Sequence, residues 1–198
     1  MWGRGAARDP ARRNPRGHGM TARSPGIACL AWLACLAFIP AAPAAAEDAP
    51  LPGPVATESC LAAADGDDAA RRACIGRAAS ACMQTEAGQT TAGMVACLAS
   101  ERDWWEARRG AALAGVLDAM TRSDAELAGL GSALPPRAPL GTAAEAAWTA
   151  WKAAECAFEA AQWDGGTGAG PAALSCDLQL TGERALWHEA TLEELAGR

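Results

Sequence analysis

The chain has 198 residues, a formal net charge of −6, eight cysteines, eight tryptophans, two histidines and no tyrosine. So few histidines leave little material for a general base or a metal site, and no cofactor is expected. From Glu47 onward there are 22 Asp plus Glu against 11 Arg plus Lys, a net charge of about −11, which argues against nucleic acid as a ligand and favours attraction to basic proteins.

Residues 1–19 carry five arginines and no apolar pattern, and read as an untranslated or disordered extension ahead of Met20. Arg12-Arg13-Asn14-Pro15 lacks the apolar pair that a twin-arginine export signal would place next. Residues 20–46 read as a signal peptide. Arg23 precedes an apolar run of 13 residues from Ile27 to Ile39, Pro40 and Pro43 end it, and Ala44-Ala45-Ala46 offers a cleavage site before Glu47. A membrane span needs roughly 20 apolar residues. Cleavage removes 46 of the 198 residues and leaves 152, with no stable membrane insertion and a periplasmic or secreted address. Cys29 and Cys35 leave with the signal.

Residues 47–57, rich in proline and alanine, read as a disordered lead-in to one domain over 58–198. Alanine dominates that domain and β-branched residues are few, so the predicted class is all-α, a small disulfide-stapled array of about four helices. The first helix spans Asp67 to Met83, opened by Asp65 or Asp67, and Thr85 to Gln89 forms a loop. The second, capped by Thr90 or Thr91, continues to about Met120, and Leu134-Pro135-Pro136-Arg137-Ala138-Pro139 breaks the chain. Thr142-Ala-Ala-Glu145 reads as a capping box for a third helix ending near Gln162, with Trp148, Trp151 and Phe158 on one face and Glu155 discordant among them. Asp164 to Gly170 is a glycine-rich turn, and Pro171 suits the first position of a fourth helix. Leu174, Leu178, Thr181, Ala185, His188, Leu192 and Leu195 form its buried stripe. Trp148, Trp151 and Trp187 are expected in a tryptophan-rich core.

Six cysteines remain after cleavage and allow fifteen pairings. An oxidising compartment favours disulfides over free thiols. Sequential pairing fits the helices best: Cys60 with Cys74, Cys82 with Cys97, and Cys156 with Cys176. A metal site is disfavoured, because no Cys-x-x-Cys occurs and His188 is the only histidine of the mature chain. Catalysis finds no support either. There is no Gly-x-Ser-x-Gly elbow, the Gly165–Gly170 run lacks the lysine of a phosphate loop, and Glu155/Glu159 and Glu193/Glu194 read as solvated acidic faces.

Several separated residues together resemble a known family. Cys82, Thr91, Met94, Cys97, Glu101, Trp105 and Glu106 form the first block, and Trp148, Trp151, Lys152 and Cys156 the second. Gly165, Gly166, Cys176, Thr181 and Arg184 form the third. This set is similar to the LprI-like lysozyme-inhibitor domain of exported bacterial proteins, over about Cys74 to Leu192. The sequence departs where the family has Leu-Asn and Tyr and this chain has Arg109-Gly110 and Leu113, midway along the second helix. The resemblance implies a helical, disulfide-containing envelope domain that inhibits lysozyme; together with the net charge of about −11, it gives as the expected function a non-enzymatic binding protein with a basic lysozyme-like muramidase as its partner. A structural or stress-related envelope protein with another partner is the alternative reading. Trp104 and Trp105, flanked by acids, and Asp164 in the glycine-rich turn are the expected partner contacts.

Overall fold

The computed structural model describes residues 53–197; the N-terminal extension, the signal segment and residues 47–52 of the lead-in lie outside that range. Within it, alanine-rich sequence forms helix and no strand. The helices are α1 (Val55–Ala63), α2 (Asp68–Arg72), α3 (Arg77–Met83), α4 (Thr91–Gly129), α5 (Arg137–Ala161) and α6 (Ala169–Ala196), with a single 3₁₀ turn at Ala87–Gln89 before α4.

Six helices stand where the periodicity predicts four, for identifiable reasons. Val55–Thr57, expected in the disordered lead-in, belong to α1, and the buried Thr57 hydroxyl ties that helix inward. The predicted first helix is cut in two at Gly76, whose φ of +88° is a left-handed conformation that glycine adopts without strain. Asp67 caps α2 by accepting from the Ala70 amide at 2.8 Å, and Thr90 caps α4 by accepting from the Gly93 amide at 2.9 Å. Gly93 is required there for a second reason: a Cβ would overlap the Ala87 carbonyl in the 3₁₀ turn beneath.

The capping box predicted at Thr142 does not form. Helix α5 starts at Arg137, directly after Pro136, and the Asp124 carboxylate of α4 caps it by accepting from the Ala138 amide at 2.9 Å. The backbone amides of Ala138 and Arg137 hold the Asp124 carboxyl below its usual range. Thr142 instead donates to its own helix at Ala138, and Glu145 turns into the interior. Likewise Pro171 is the third residue of α6 rather than the first.

Two hairpin connections make α5 antiparallel to both α4 and α6, so α4 and α6 run parallel to each other. Successive contacts advance together along both helices: Arg102 meets Asp177, Arg108 meets Glu189, and Gly115 accepts the Leu192 side chain. The apolar core is small and consists of Ala79, Leu98, Trp105, Leu178, Ala185 and Leu186, with Leu61, Ile75, Met83, Trp104 and Leu174 packed around it. Ile75, in the α2–α3 turn, reaches α6 at Gly182, where an added Cβ would stand 2.9 Å from it. Three disulfides close this frame: Cys60–Cys74 joins α1 to the α2–α3 turn, Cys82–Cys97 joins α3 to α4, and Cys156–Cys176 joins α5 to α6.

Candidate functional site

The interior is organised by carboxylates. Glu101 on α4 is buried and accepts from the Thr57 hydroxyl at 2.6 Å, the Gly76 amide at 2.9 Å, the Ala79 amide at 2.6 Å and the Trp105 indole at 3.2 Å. Thr57 in turn accepts from the Ala78 amide at 3.0 Å. Glu101 and Thr57 therefore satisfy the free amides that open α3, a helix without a side-chain cap of its own.

Farther along the bundle, three carboxylates each grip two cations from different helices. Asp177 holds Arg102 at 2.6 Å and Lys152 at 2.5 Å. Glu145 holds Arg109 at 2.6 Å and Arg184 at 2.5 Å. Glu189 holds Arg71 and Arg108, both at 2.7 Å. Lys152 and Arg102 keep the Asp177 carboxyl below its usual range despite burial, which pushes it up. The Trp148 ring lies under three of these cations, Arg109, Lys152 and Arg184, at 5.1–5.5 Å. Arg109 also pairs with Glu106 at 2.6 Å, so the residue that departs from the family pattern bridges α4 to α5.

His188 completes the Glu145 cluster, with Nε2 2.8 Å from Glu145 Oε1. This carboxylate–imidazole pair has the outline of a catalytic dyad. Its surroundings are those of a packed histidine: the side chain is 2% exposed and Nδ1 has no hydrogen-bond partner. Burial pushes its pKa down, and the neighbouring Glu145 only partly offsets that. The ring is held neutral, with Nε2–H donating to Glu145 and Nδ1 buried without a partner.

Drawing cations inward changes the outside. Seven of the ten Arg and Lys side chains among the described residues bridge two helices, through only Glu145, Asp177, Glu189 and Asp124. The carboxylates left over dominate the exterior. They meet exposed aromatic surface in a groove of about 550 Å³ between α5 and α6. Trp151, Glu155 and Glu159 form its α5 wall at intervals of four residues, and Ala172, Ser175, Cys176, Gln179 and Leu180 form the α6 wall. Trp163 closes the end at the α5–α6 turn. Trp151 and Trp163 are 49% and 53% exposed. No ion pair or side-chain hydrogen bond engages Glu155 or Glu159 among the described residues. Cys156–Cys176 fixes the spacing of the two walls.

Trp163 is held in place by its turn. Asp164 and Gly165 adopt positive φ, the Gly166 amide donates to the Trp163 carbonyl at 2.7 Å, and the indole lies flush on Gly168, where a Cβ would overlap its ring.

The residues expected to contact a partner fall in different places. Trp105 is fully buried and hydrogen-bonded to Glu101, which removes it from any contact surface. Trp104 is half-buried, packed edge-on against Trp105 with centroids 4.8 Å apart and covered by Arg108 at 4.9 Å. Asp164 is exposed at the rim of the turn beside Trp163. The expected tryptophan-rich core is also corrected: Trp151 and Trp187 are about half exposed, Phe158 more so, and only Trp148 is covered. The sequence hides the groove because helical spacing places Trp151 with Trp148 on an inward face. Its one signal was Glu155, an acid on an otherwise aromatic face.

Most of the signature residues quoted above prove to be internal parts, whereas Thr91, Trp151, Gly165 and Gly166 are exposed. Glu101, Trp105, Thr181 and the three disulfide-bonded cysteines Cys82, Cys97 and Cys156 are buried, while Trp148, Lys152 and Arg184 build the ion clusters. Residues 82–187, over half of the 198-residue chain, match the family model described as "Lysozyme inhibitor LprI". No curated protein and no solved structure matches the chain. The chain belongs to the LprI lysozyme-inhibitor family.

Proposed function

We propose that this protein is an exported, non-catalytic binding protein that inhibits lysozyme-type muramidases. Its family supports the target class. Three disulfides, and the lack of any helix long and apolar enough to cross a membrane among the described residues, agree with work outside the cytoplasm. Residues 20–46 act as the export signal in this reading. The observation that carries the proposal is the inward placement of the cations, which leaves an acidic exterior that steers basic enzymes toward it.

The test uses the chain from Glu47 onward, oxidised and purified, titrated into a basic C-type lysozyme and into bacterial muramidases while cell-wall lysis is followed. Inhibition at low salt that weakens at high salt is the expected result. Full lytic activity at micromolar excess of the protein, under both conditions, would reject it.

A further inference from the structure

We infer that the α5–α6 groove is the docking site for the basic partner, taking its arginine or lysine side chains against Trp151 and Trp163 with Glu155 and Glu159 supplying the countercharge. The inference rests on the proposed binding of a basic lysozyme and assigns that binding a place. Three observations carry it.

The first is electrostatic. Every other half-buried or buried carboxylate on the α5 and α6 walls is already engaged: Glu145, Asp177 and Glu189 each hold two cations. Glu155 and Glu159 are half-buried beside apolar rings and hold none. Their field is unspent, and partial burial beside low-dielectric walls strengthens it toward an incoming cation. The second is chemical. Tryptophan faces attract guanidinium and ammonium groups, and the chain already uses this contact internally, with Arg184 4.4 Å from the Trp187 ring and three cations around Trp148. The third is rigidity. Trp163 is fixed by Gly168 and by the hydrogen-bonded turn, and the two walls are cross-linked by Cys156–Cys176. A preformed groove loses little conformational freedom when occupied. A neutral glycan chain could also stack on tryptophan, but it would leave the Glu155 and Glu159 carboxylates half-buried without a countercharge.

The experiment compares the wild-type mature chain with Glu155→Gln/Glu159→Gln, with Gly168→Ala, and with a control of equal charge change at exposed sites elsewhere, Glu58→Gln/Glu126→Gln. Unfolding midpoints establish that each is folded; the groove glutamates make no ion pair or hydrogen bond and the substitutions keep their shape, so the midpoint stays nearly unchanged. Probes are basic C-type lysozyme, an octa-arginine peptide and chitotetraose, with tryptophan fluorescence and calorimetry as readouts. The expected result is a Kd raised about tenfold for lysozyme and peptide in the groove double variant, against about twofold in the control. Gly168→Ala weakens both by displacing Trp163, and chitotetraose leaves the fluorescence unchanged. Equal losses in the groove and control variants would overturn the inference, as would chitotetraose binding in place of the peptide. Failure of the functional reading is separate: wild-type protein that does not inhibit lysozyme, yet binds octa-arginine in a manner sensitive to Glu155 and Glu159, would remove the target and keep the groove.

Discussion

At the scale of single residues, the chain shows how much a carboxylate contributes when its acceptors are all used. Glu101 ends four donors that have no other route to satisfaction. Glu101→Ala would strand the Ala79 and Gly76 amides and the Trp105 indole, and should cost about 3 kcal/mol, read as a lowered denaturant midpoint. A midpoint within error of wild type would show that water replaces the carboxylate freely. His188 makes a prediction in pH. Its folded pKa lies below the ordinary 6.5, so on acidification the unfolded chain takes up the proton first. Stability is therefore full above pH 6.5 and declines as pH falls below it, levelling once the folded ring is protonated. Asp177 and Glu106, both depressed, add a second decline below the usual carboxylate range. In His188→Gln the first decline should flatten while the second persists; an unchanged slope between pH 7 and 5 would assign the decline to another group.

Among whole elements, the helical class and the long central helix were readable because alanine-rich sequence has few alternatives and Thr90 and the Pro135-Pro136 pair mark real boundaries. The break at Gly76 was not readable. Its helix start is capped from α4 and α1, by Glu101 and Thr57, which are distant in sequence. The same applies to α5, capped by Asp124 across a turn, where Thr142-Ala-Ala-Glu145 offered a local cap that the fold does not use. Inside and outside were the hardest to assign. An alanine background gives almost no contrast between faces, so by sequence alone aromatic residues point to core and charges to surface. Here Arg109, Arg184 and Glu145 go in while Trp151, Phe158 and Trp163 stay out. The α5–α6 cross-link invites a direct measurement. Its loop of 20 residues should contribute about 3 kcal/mol, so Cys156→Ser/Cys176→Ser should lower stability by that order and loosen the groove walls. Retention of full stability and of octa-arginine binding in that variant would show that packing alone sets the helix spacing.

Across the whole molecule, two kinds of bonding share the task that a larger apolar core would perform. Few large side chains are buried, and helix contacts are supplemented by shared ion clusters and three cross-links. Half-buried ion pairs are less exposed to screening than surface ones. High salt should accordingly leave the unfolding midpoint nearly constant while weakening lysozyme binding about tenfold or more. A midpoint that collapses in parallel with binding would mean that the clusters are screened like surface charge.

Seven helix-bridging cations on four acceptors have a further result for how the molecule behaves among polymers. With most of its positive groups occupied in its own joints, it offers little for phospholipid headgroups or teichoic-type polyanions to grasp. Such a protein diffuses past anionic scaffolding without sticking, and halts only where it encounters positive charge.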